Sequence, residues 1–189
     1  QANLTGNRIE GSFWSGNPHI ELTRCNNSQI VKNNVTWTRF KIINSNETQI
    51  ERNILSESEI YISASKDVTV EYNTLDCNDI TDGISLLSCI QCNVTHNIIK
   101  NQQVDGITIA GSTEILVRNN SVTNPGFGSL NNDYGICVDS SIDCEIENNT
   151  ASKNEFAGIG VIDSNNTLVY DNIAYNNYYG FYDRGTLDT

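Results

Sequence analysis

Apolar and polar residues alternate in short bursts along the whole chain, and the bursts come in two kinds. The first kind reads apolar-x-x-Asn-x-apolar, as in Leu4-Thr5-Gly6-Asn7-Arg8-Ile9, Ile50-Glu51-Arg52-Asn53-Ile54-Leu55, Val94-Thr95-His96-Asn97-Ile98-Ile99 and Val169-Tyr170-Asp171-Asn172-Ile173-Ala174. The second follows after a variable insert and reads Ile20-Glu21-Leu22, Ile60-Tyr61-Ile62, Ile84-Ser85-Leu86, Ile107-Thr108-Ile109, Ile136-Cys137-Val138 and Ile159-Gly160-Val161. Alternation with a period of two is the signature of a strand with one buried face. The apolar residues of the second set are therefore expected to point inward in one stacked column. No stretch sustains helical spacing.

The asparagine of the first burst recurs at Asn7, Asn33, Asn53, Asn73, Asn97, Asn120, Asn149 and Asn172, at intervals of 26, 20, 20, 24, 23, 29 and 23 residues. A quasi-period of this size signals a stacked repeat, in which one turn of chain cannot bury its apolar face alone. Two or three short strands per repeat, with no room for a helix, predict an all-β chain. Its expected architecture is a right-handed parallel β-helix solenoid of about eight coils, forming a single domain over residues 1–189. Three residues past the second strand stand Cys25, Ser45, Ser65, Cys89, Ser112, Ser141 and Ser164. Only small side chains occupy this column, as expected at a tight corner repeated about every 4.8 Å. The asparagines are read as a structural ladder, hydrogen-bonded from coil to coil, and not as a functional site.

The recurring unit Asn-x-Ile, variable insert, Gly-Ile-x-Ile is seen in Asn97-Ile98-Ile99 to Gly106-Ile107-Thr108-Ile109 and in Asn149-Thr150-Ala151 to Gly158-Ile159-Gly160-Val161. With it the chain resembles the pectin-lyase-like right-handed β-helices, specifically the NosD-like carbohydrate-binding and sugar-hydrolase repeat. The resemblance covers the whole chain and implies the fold. It leaves function open, because that family holds lyases, hydrolases, epimerases, adhesins, phage spikes and inert surface modules. The polygalacturonase-like and epimerase-like aspartate motifs are absent.

Composition narrows the setting. A net charge of −12 and a pI near 4.4 disfavour nucleic acid and anionic membranes. No apolar run is long enough to span a bilayer. The chain has 28 asparagines and no methionine, and is expected to be a segment of a longer precursor. Asn-x-Ser/Thr triplets begin at Asn3, Asn26, Asn34, Asn46, Asn93, Asn119, Asn148 and Asn165, which makes these asparagines glycosylation candidates in an extracellular protein. Cys25, Cys77, Cys89, Cys92, Cys137 and Cys144 allow disulfides in such a compartment. Cys89 with Cys92 and Cys137 with Cys144 are the local candidate pairs. Cys92 and Cys144, two coils or roughly 10 Å apart, are beyond reach of one another.

The candidate chemistry lies in Asp82-Gly83-Ile84 and Asp105-Gly106-Ile107, with Asp76, Asp79 and Asp133 near by. Two stacked carboxylates about 5 Å apart would suit a retaining glycosidase. The same column also fits a bound calcium ion or a plain turn, and Asp82 and Asp105 are expected not to perform chemistry. Trp14 and Trp37 fall in the first inserts, while Tyr170, Tyr175, Tyr178, Tyr179, Phe181 and Tyr182 crowd the last coil. Such rings either stack on sugars or cover the open end of a solenoid, and the latter is expected here. The chain resembles repeat modules of archaeal cell-surface and sheath proteins. The function expected is thus a non-catalytic structural module of a surface layer, sheath or fibre that self-associates through its ends, with a carbohydrate-binding or carbohydrate-active β-helix as the alternative.

Overall fold

A computed structural model describes residues 1–11, 18–78, 82–124 and 133–185. Its described residues form strands and turns without a helix. Each turn of chain gives one strand to each of three eight-stranded sheets, and every strand pair is parallel. In one central turn the strands are Thr69–Glu71, Thr74–Asp76 and Ile84–Leu87, and in the next they are Asn93–Thr95, Ile98–Lys100 and Ile107–Ala110. The chain is therefore a parallel β-helix, as its periodicity predicts.

Alternation becomes three inward columns. Val70 pairs with Val94 in the first sheet, Leu75 with Ile99 in the second, and Ile84 with Ile107 in the third. From Ile30 through Ile146 these inward residues are buried in one continuous core. The expected inward set is confirmed: Ile60, Ile62, Ile84, Leu86, Ile107, Ile109, Ile136, Val138, Ile159 and Val161 are all buried. Ile20 and Leu22 lie on the same column and are only half-buried, because no turn of the described chain covers them. Burial of apolar area at roughly 25 cal/mol per Å² supplies the driving force for stacking.

The corner between the first and second sheets holds the asparagines. Each donates both its backbone N–H and its amide Nδ2 to Oδ1 of the next. The bonds run from Asn33 to Asn53 (2.9 and 3.0 Å), Asn53 to Asn73 (2.9 and 2.9 Å), Asn73 to Asn97 (3.0 and 3.0 Å) and on to Asn172. Nδ2 also bonds one carbonyl of the preceding turn, as from Asn97 to Val70 O at 2.9 Å. A buried polar side chain is thus satisfied on every side.

The residue before each ladder asparagine lies in the left-handed region. Gly6, Lys32, Arg52, Tyr72, His96, Asn119, Asn148 and Asp171 have φ between 53° and 71°. Only one of them is glycine, although an L side chain there costs roughly 1–2 kcal/mol. The ladder bonds and the stacked core offset that cost. The small-residue column forms a second ladder at the corner between the third and first sheets, where Ser45 N–H donates to Ser65 Oγ and Ser112 N–H to Ser141 Oγ.

Asn97→Ala would leave the buried Asn73 backbone N–H without its acceptor and remove the amide bond to the Val70 carbonyl, at ~1–3 kcal/mol for a group left unpaired. We expect a loss of at least ~2 kcal/mol in urea unfolding. Asn172→Ala, at a half-exposed end, should lose less than half as much. Equal losses at the two positions would show that burial of the ladder does not set its strength.

Candidate functional site

The third sheet carries the chemistry on its outer face. One outward row runs in register through Glu21, Lys41, Tyr61, Ser85, Thr108, Cys137, Gly160 and Tyr182. The variable inserts reach the sheet at the start of its strands, and there the row is joined by Arg39, Glu59, Asp82, Asp105, Asp133 and Tyr134. Arg39 Nε lies 2.5 Å from Glu59, and Lys41 Nζ lies 3.3 Å from Glu21. Both of these cations are thus paired. Burial pushes the Glu59 carboxyl above its usual range, with Arg39 opposing the shift and Asp82 adding to it.

Asp82 and Asp105 form a short ladder of their own. Asp105 N–H donates to Asp82 Oδ1 at 3.2 Å, and Tyr134 N–H donates to Asp105 Oδ1 at 2.8 Å. The second oxygen of each carboxylate accepts a hydroxyl three residues on, from Ser85 (2.8 Å) and Thr108 (3.2 Å). Asp-Gly-Ile-Ser and Asp-Gly-Ile-Thr are therefore the same cap at the head of successive strands. Asp105 is buried, and burial is the main reason its carboxyl is pushed up to about 7. The neighbouring Asp82 and Asp133 raise it further, while the Tyr134 N–H and the Thr108 hydroxyl oppose the shift.

Glycine follows each aspartate because the chain is crowded there. A Cβ on Gly106 would stand 2.1 Å from a Val122 methyl and 2.5 Å from the Gly135 carbonyl oxygen. The Asp-Gly pair is thus a packing requirement as well as a turn.

Beyond the aspartates the face becomes aromatic. Tyr134, Cys137 and Ala157 form a buried outer cluster against which Phe156, Ile162 and Tyr182 pack. The Phe156 ring meets Tyr134 at 5.1 Å, Tyr182 at 4.8 Å and Tyr179 at 5.2 Å, all edge to face. Tyr134 lies over Gly160, where a Cβ would come within 2.3 Å of the ring. This outer floor joins residues 134 to 182, which periodicity alone did not connect. The signal was present in the outward row, where Gly160 leaves a gap beside Tyr182.

The last-turn aromatics divide, contrary to the expectation that they cover the open end. Tyr179 and Tyr182 turn outward into the floor. Phe181 lies on the inward column and, with Ile159, Val169, Tyr170, Ala174 and Gly180, lines a recess of about 250 Å³ at that end. Trp37 stands half-buried at a corner, whereas Trp14 and Asp79 lie outside the described residues. Asp76 is exposed and accepts the Asn101 amide at 2.8 Å.

All six cysteines are free thiols. Cys137 and Cys144 are not brought together as expected, because Cys137 faces outward against Tyr134 and Cys144 faces the main core. Burial pushes Cys144 up to about 11, and burial beside acidic groups pushes Cys77 up to about 12. Cys25 is half-buried at the first turn. Of the triplet asparagines, Asn3, Asn26, Asn34, Asn93, Asn119 and Asn148 are exposed, while Asn46 and Asn165 are half-buried. Asn26 and Asn46 each accept a backbone N–H of the next turn, from Asn46 and Lys66. His96 stacks on Tyr72 at 4.7 Å and contacts Asn119 Nδ2 at 3.3 Å.

These features define the class of protein as a parallel β-helix with an acidic and aromatic outer face. Residues 2–188 match the family described as periplasmic copper-binding protein (NosD), and the chain belongs to that family. No curated protein sequence matches the chain significantly. Among solved structures it is similar to the A-module of the Azotobacter vinelandii mannuronan C-5 epimerase AlgE4, with TM-score 0.58 and 12% identity over 100% of this chain and 58% of that one. It is also similar to a double mutant of the periplasmic alginate epimerase AlgG, with TM-score 0.56 and 14% identity over 97% and 59%. Full-length tailspike protein 2 of an Escherichia coli bacteriophage gives TM-score 0.57 and 10% identity over 96% and 32%. The chain therefore spans between 32% and 59% of the length of these structures, and the likeness is one of fold.

The donor set does not fit a copper centre. Among the described residues no three His, Cys, Asp or Glu side chains converge on one point. Copper is held by imidazole, thiolate or thioether; here the two histidines stand in different turns, methionine is absent, and Cys89 and Cys92 gather no third donor among the described residues. Calcium takes 6–8 oxygen ligands, and among the described residues Asp82 and Asp105 gather no third His, Cys, Asp or Glu side chain. No described helix is long and apolar enough to cross a membrane.

The Asp105 shift makes a pH prediction. The folded chain keeps the proton up to about pH 7, whereas an unfolded aspartate releases it near 3.8. Stability must therefore fall as pH rises from about 4 to about 7 and stay level above that. Asp105→Asn should remove this part of the slope and melt higher than the wild type at about pH 8. Calorimetry across that range checks it, and parallel profiles for the two proteins would refute the assignment.

Proposed function

We propose that the protein binds a carbohydrate chain along the outer face of its third sheet, in an extracellular or periplasmic setting. The observation that carries this reading is the continuity of that face. Hydroxyl and carboxylate pairs from Ser85, Thr108, Asp82 and Asp105 lead directly onto the floor of Tyr134, Phe156, Tyr179 and Tyr182. Sugars present hydroxyls along their edges and apolar C–H faces above and below the ring, so such a strip matches both. The fold neighbours add support, since two of them are named as enzymes of alginate and mannuronan and the family is named as periplasmic.

Binding suits the face better than cleavage. Each aspartate oxygen is held by one cap bond and keeps a lone pair, which suits a fixed acceptor for a sugar hydroxyl. The net charge of −12 and the paired cations favour a neutral or amino-sugar chain over a polyuronate. In this setting Asn34, Asn93 and Asn148 are the triplet asparagines best placed to carry glycans, being exposed and outside the corner bonds that hold Asn26 and Asn46.

A second reading, assembly end to end, rests on the direction of the asparagine ladder. It offers an acceptor at Asn7 and donors at Asn172, and the half-exposed Leu4, Ile9, Ile20 and Leu22 at one end complement Val169 and Phe181 at the other. Stacking of copies would be heterologous and open-ended. It predicts light scattering that grows with concentration and is reduced by Val169→Pro, which deletes a ladder donor.

Affinity electrophoresis through gels of neutral glucan, xylan, chitosan and alginate tests the main reading. We expect retardation by one of the first three and not by alginate. Tyr182→Ala and Tyr179→Ala should each weaken it about two- to tenfold, matching an aromatic contact of ~0.5–1.5 kcal/mol. Unretarded migration in every gel, or full retention by both variants, would overturn it.

A further inference from the structure

Two columns of side chains run along the corner between the third and first sheets. One is the ladder column of Cys25, Ser45, Ser65, Cys89, Ser112, Ser141 and Ser164. The other stands three residues on, at Ser28, Thr48, Val68, Cys92, Ile115, Cys144 and Thr167. Contact across the corner is direct in the first turn, where Ser28 Oγ donates to the Cys25 carbonyl at 2.9 Å. One corner alone carries sulfur at both positions. There Cys89 and Cys92 are both buried in the core, each close enough to the other to shift its titration, and their thiols reach carbonyls of the preceding turn, Cys89 that of Ile62 at 3.6 Å and Cys92 that of Ser65 at 3.9 Å.

We infer that Cys89 and Cys92 close to a disulfide when the chain folds in an oxidising compartment, stapling one corner of the β-helix. The positions are already paired by the fold, so the bond requires no new approach of distant segments. Cys25 and Cys144 stand in other turns, Cys77 at another corner and Cys137 on the outer side of its strand, which leaves this the one thiol pair that shares a corner among the described residues.

The chemistry is an exchange with an external small-molecule disulfide, taken here as oxidised glutathione. One cysteine, as thiolate, attacks a glutathione sulfur and releases one glutathione thiol, leaving a mixed disulfide. The second cysteine, having given up its proton, displaces the other glutathione and forms the Cys89–Cys92 bond. Two cysteine thiols are oxidised, and one disulfide is reduced to two thiols that take up the two protons. Neither sulfur is open to solvent in the folded chain, with Cys89 at 0% and Cys92 at 1% exposure. The exchange therefore precedes the stacking of this corner, and once formed the bond is shielded from reductants.

The test refolds the Cys25→Ser chain, which lacks the one thiol that is not buried, with oxidised and reduced glutathione, and counts thiols after unfolding. Serine fits at position 25 because five of the other six positions in the column are serine. Six cysteines less Cys25 leave five, and the pair reduces the count to three. The tryptic segment 67–100, which holds Cys77, Cys89 and Cys92, should be lighter by two hydrogens (~2 Da), with the bond mapped between 89 and 92 by fragmentation. Adding Cys89→Ser should abolish the mass loss, whereas adding Cys77→Ser should leave it. The bond should also resist dithiothreitol while the chain is folded and yield once it is unfolded. Five titratable thiols after oxidative refolding, or a mass loss that persists in the Cys89→Ser background, would overturn the inference.

Discussion

The asparagine ladder is the interaction on which the rest of this molecule depends. A parallel β-helix must turn the chain about every 20 to 30 residues and return it in register, and each turn creates buried backbone groups that no sheet can satisfy. Here one amide side chain per turn accepts two donors from its neighbour and donates to a carbonyl behind it. The corner then tolerates seven L-residues in left-handed geometry, where free chains favour glycine. Strand register follows from the ladder, because a slip by one residue would expose the apolar columns and break every asparagine contact together.

With two corners held by polar columns, variation is confined to the third, between the second and third sheets. That corner takes the inserts, and the outer face they reach is where the chain departs from plain repetition. Arg39 and Glu59 in the early turns give way to glycine at the same register, and the aspartates and then Tyr134 appear just before it. The narrowed backbone at Gly83, Gly106, Gly135 and Gly158 leaves no room for a side chain. Packing and the proposed carbohydrate face therefore share one strip of the surface. The carboxylates there have a structural task first, and the high Asp105 value is its electrostatic consequence.

An acidic surface on a short-stranded solenoid also carries a cost. Many of the charged side chains sit on outer faces, where pairs such as Arg8 with Glu10 contribute little. Stability must then come from stacking and from the ladders, and it should weaken toward the two end turns, where inward residues are half-exposed. Whatever covers those ends, whether further chain or a second copy, would add the same kind of energy that holds the middle together.

The repeat interval, the alternation and the small-residue column were legible in the sequence because they are properties of one turn, repeated. They determined the β-helix, the inward residues and the structural role of the asparagines. They also placed Asp82 and Asp105 in one column and Cys89 beside Cys92. What the sequence did not determine was the direction in which side chains of different turns converge. Cys137 and Cys144 are close in the chain yet face opposite sides of the wall. The last-turn aromatics are clustered in the chain yet divide between the open end and the outer floor. Tyr134, Phe156, Tyr179 and Tyr182 lie up to 48 residues apart and meet only because successive turns stack in register. Local pattern follows from the period of the backbone, whereas a surface built across turns depends on which insert ends where, and only the stacked structure decides that.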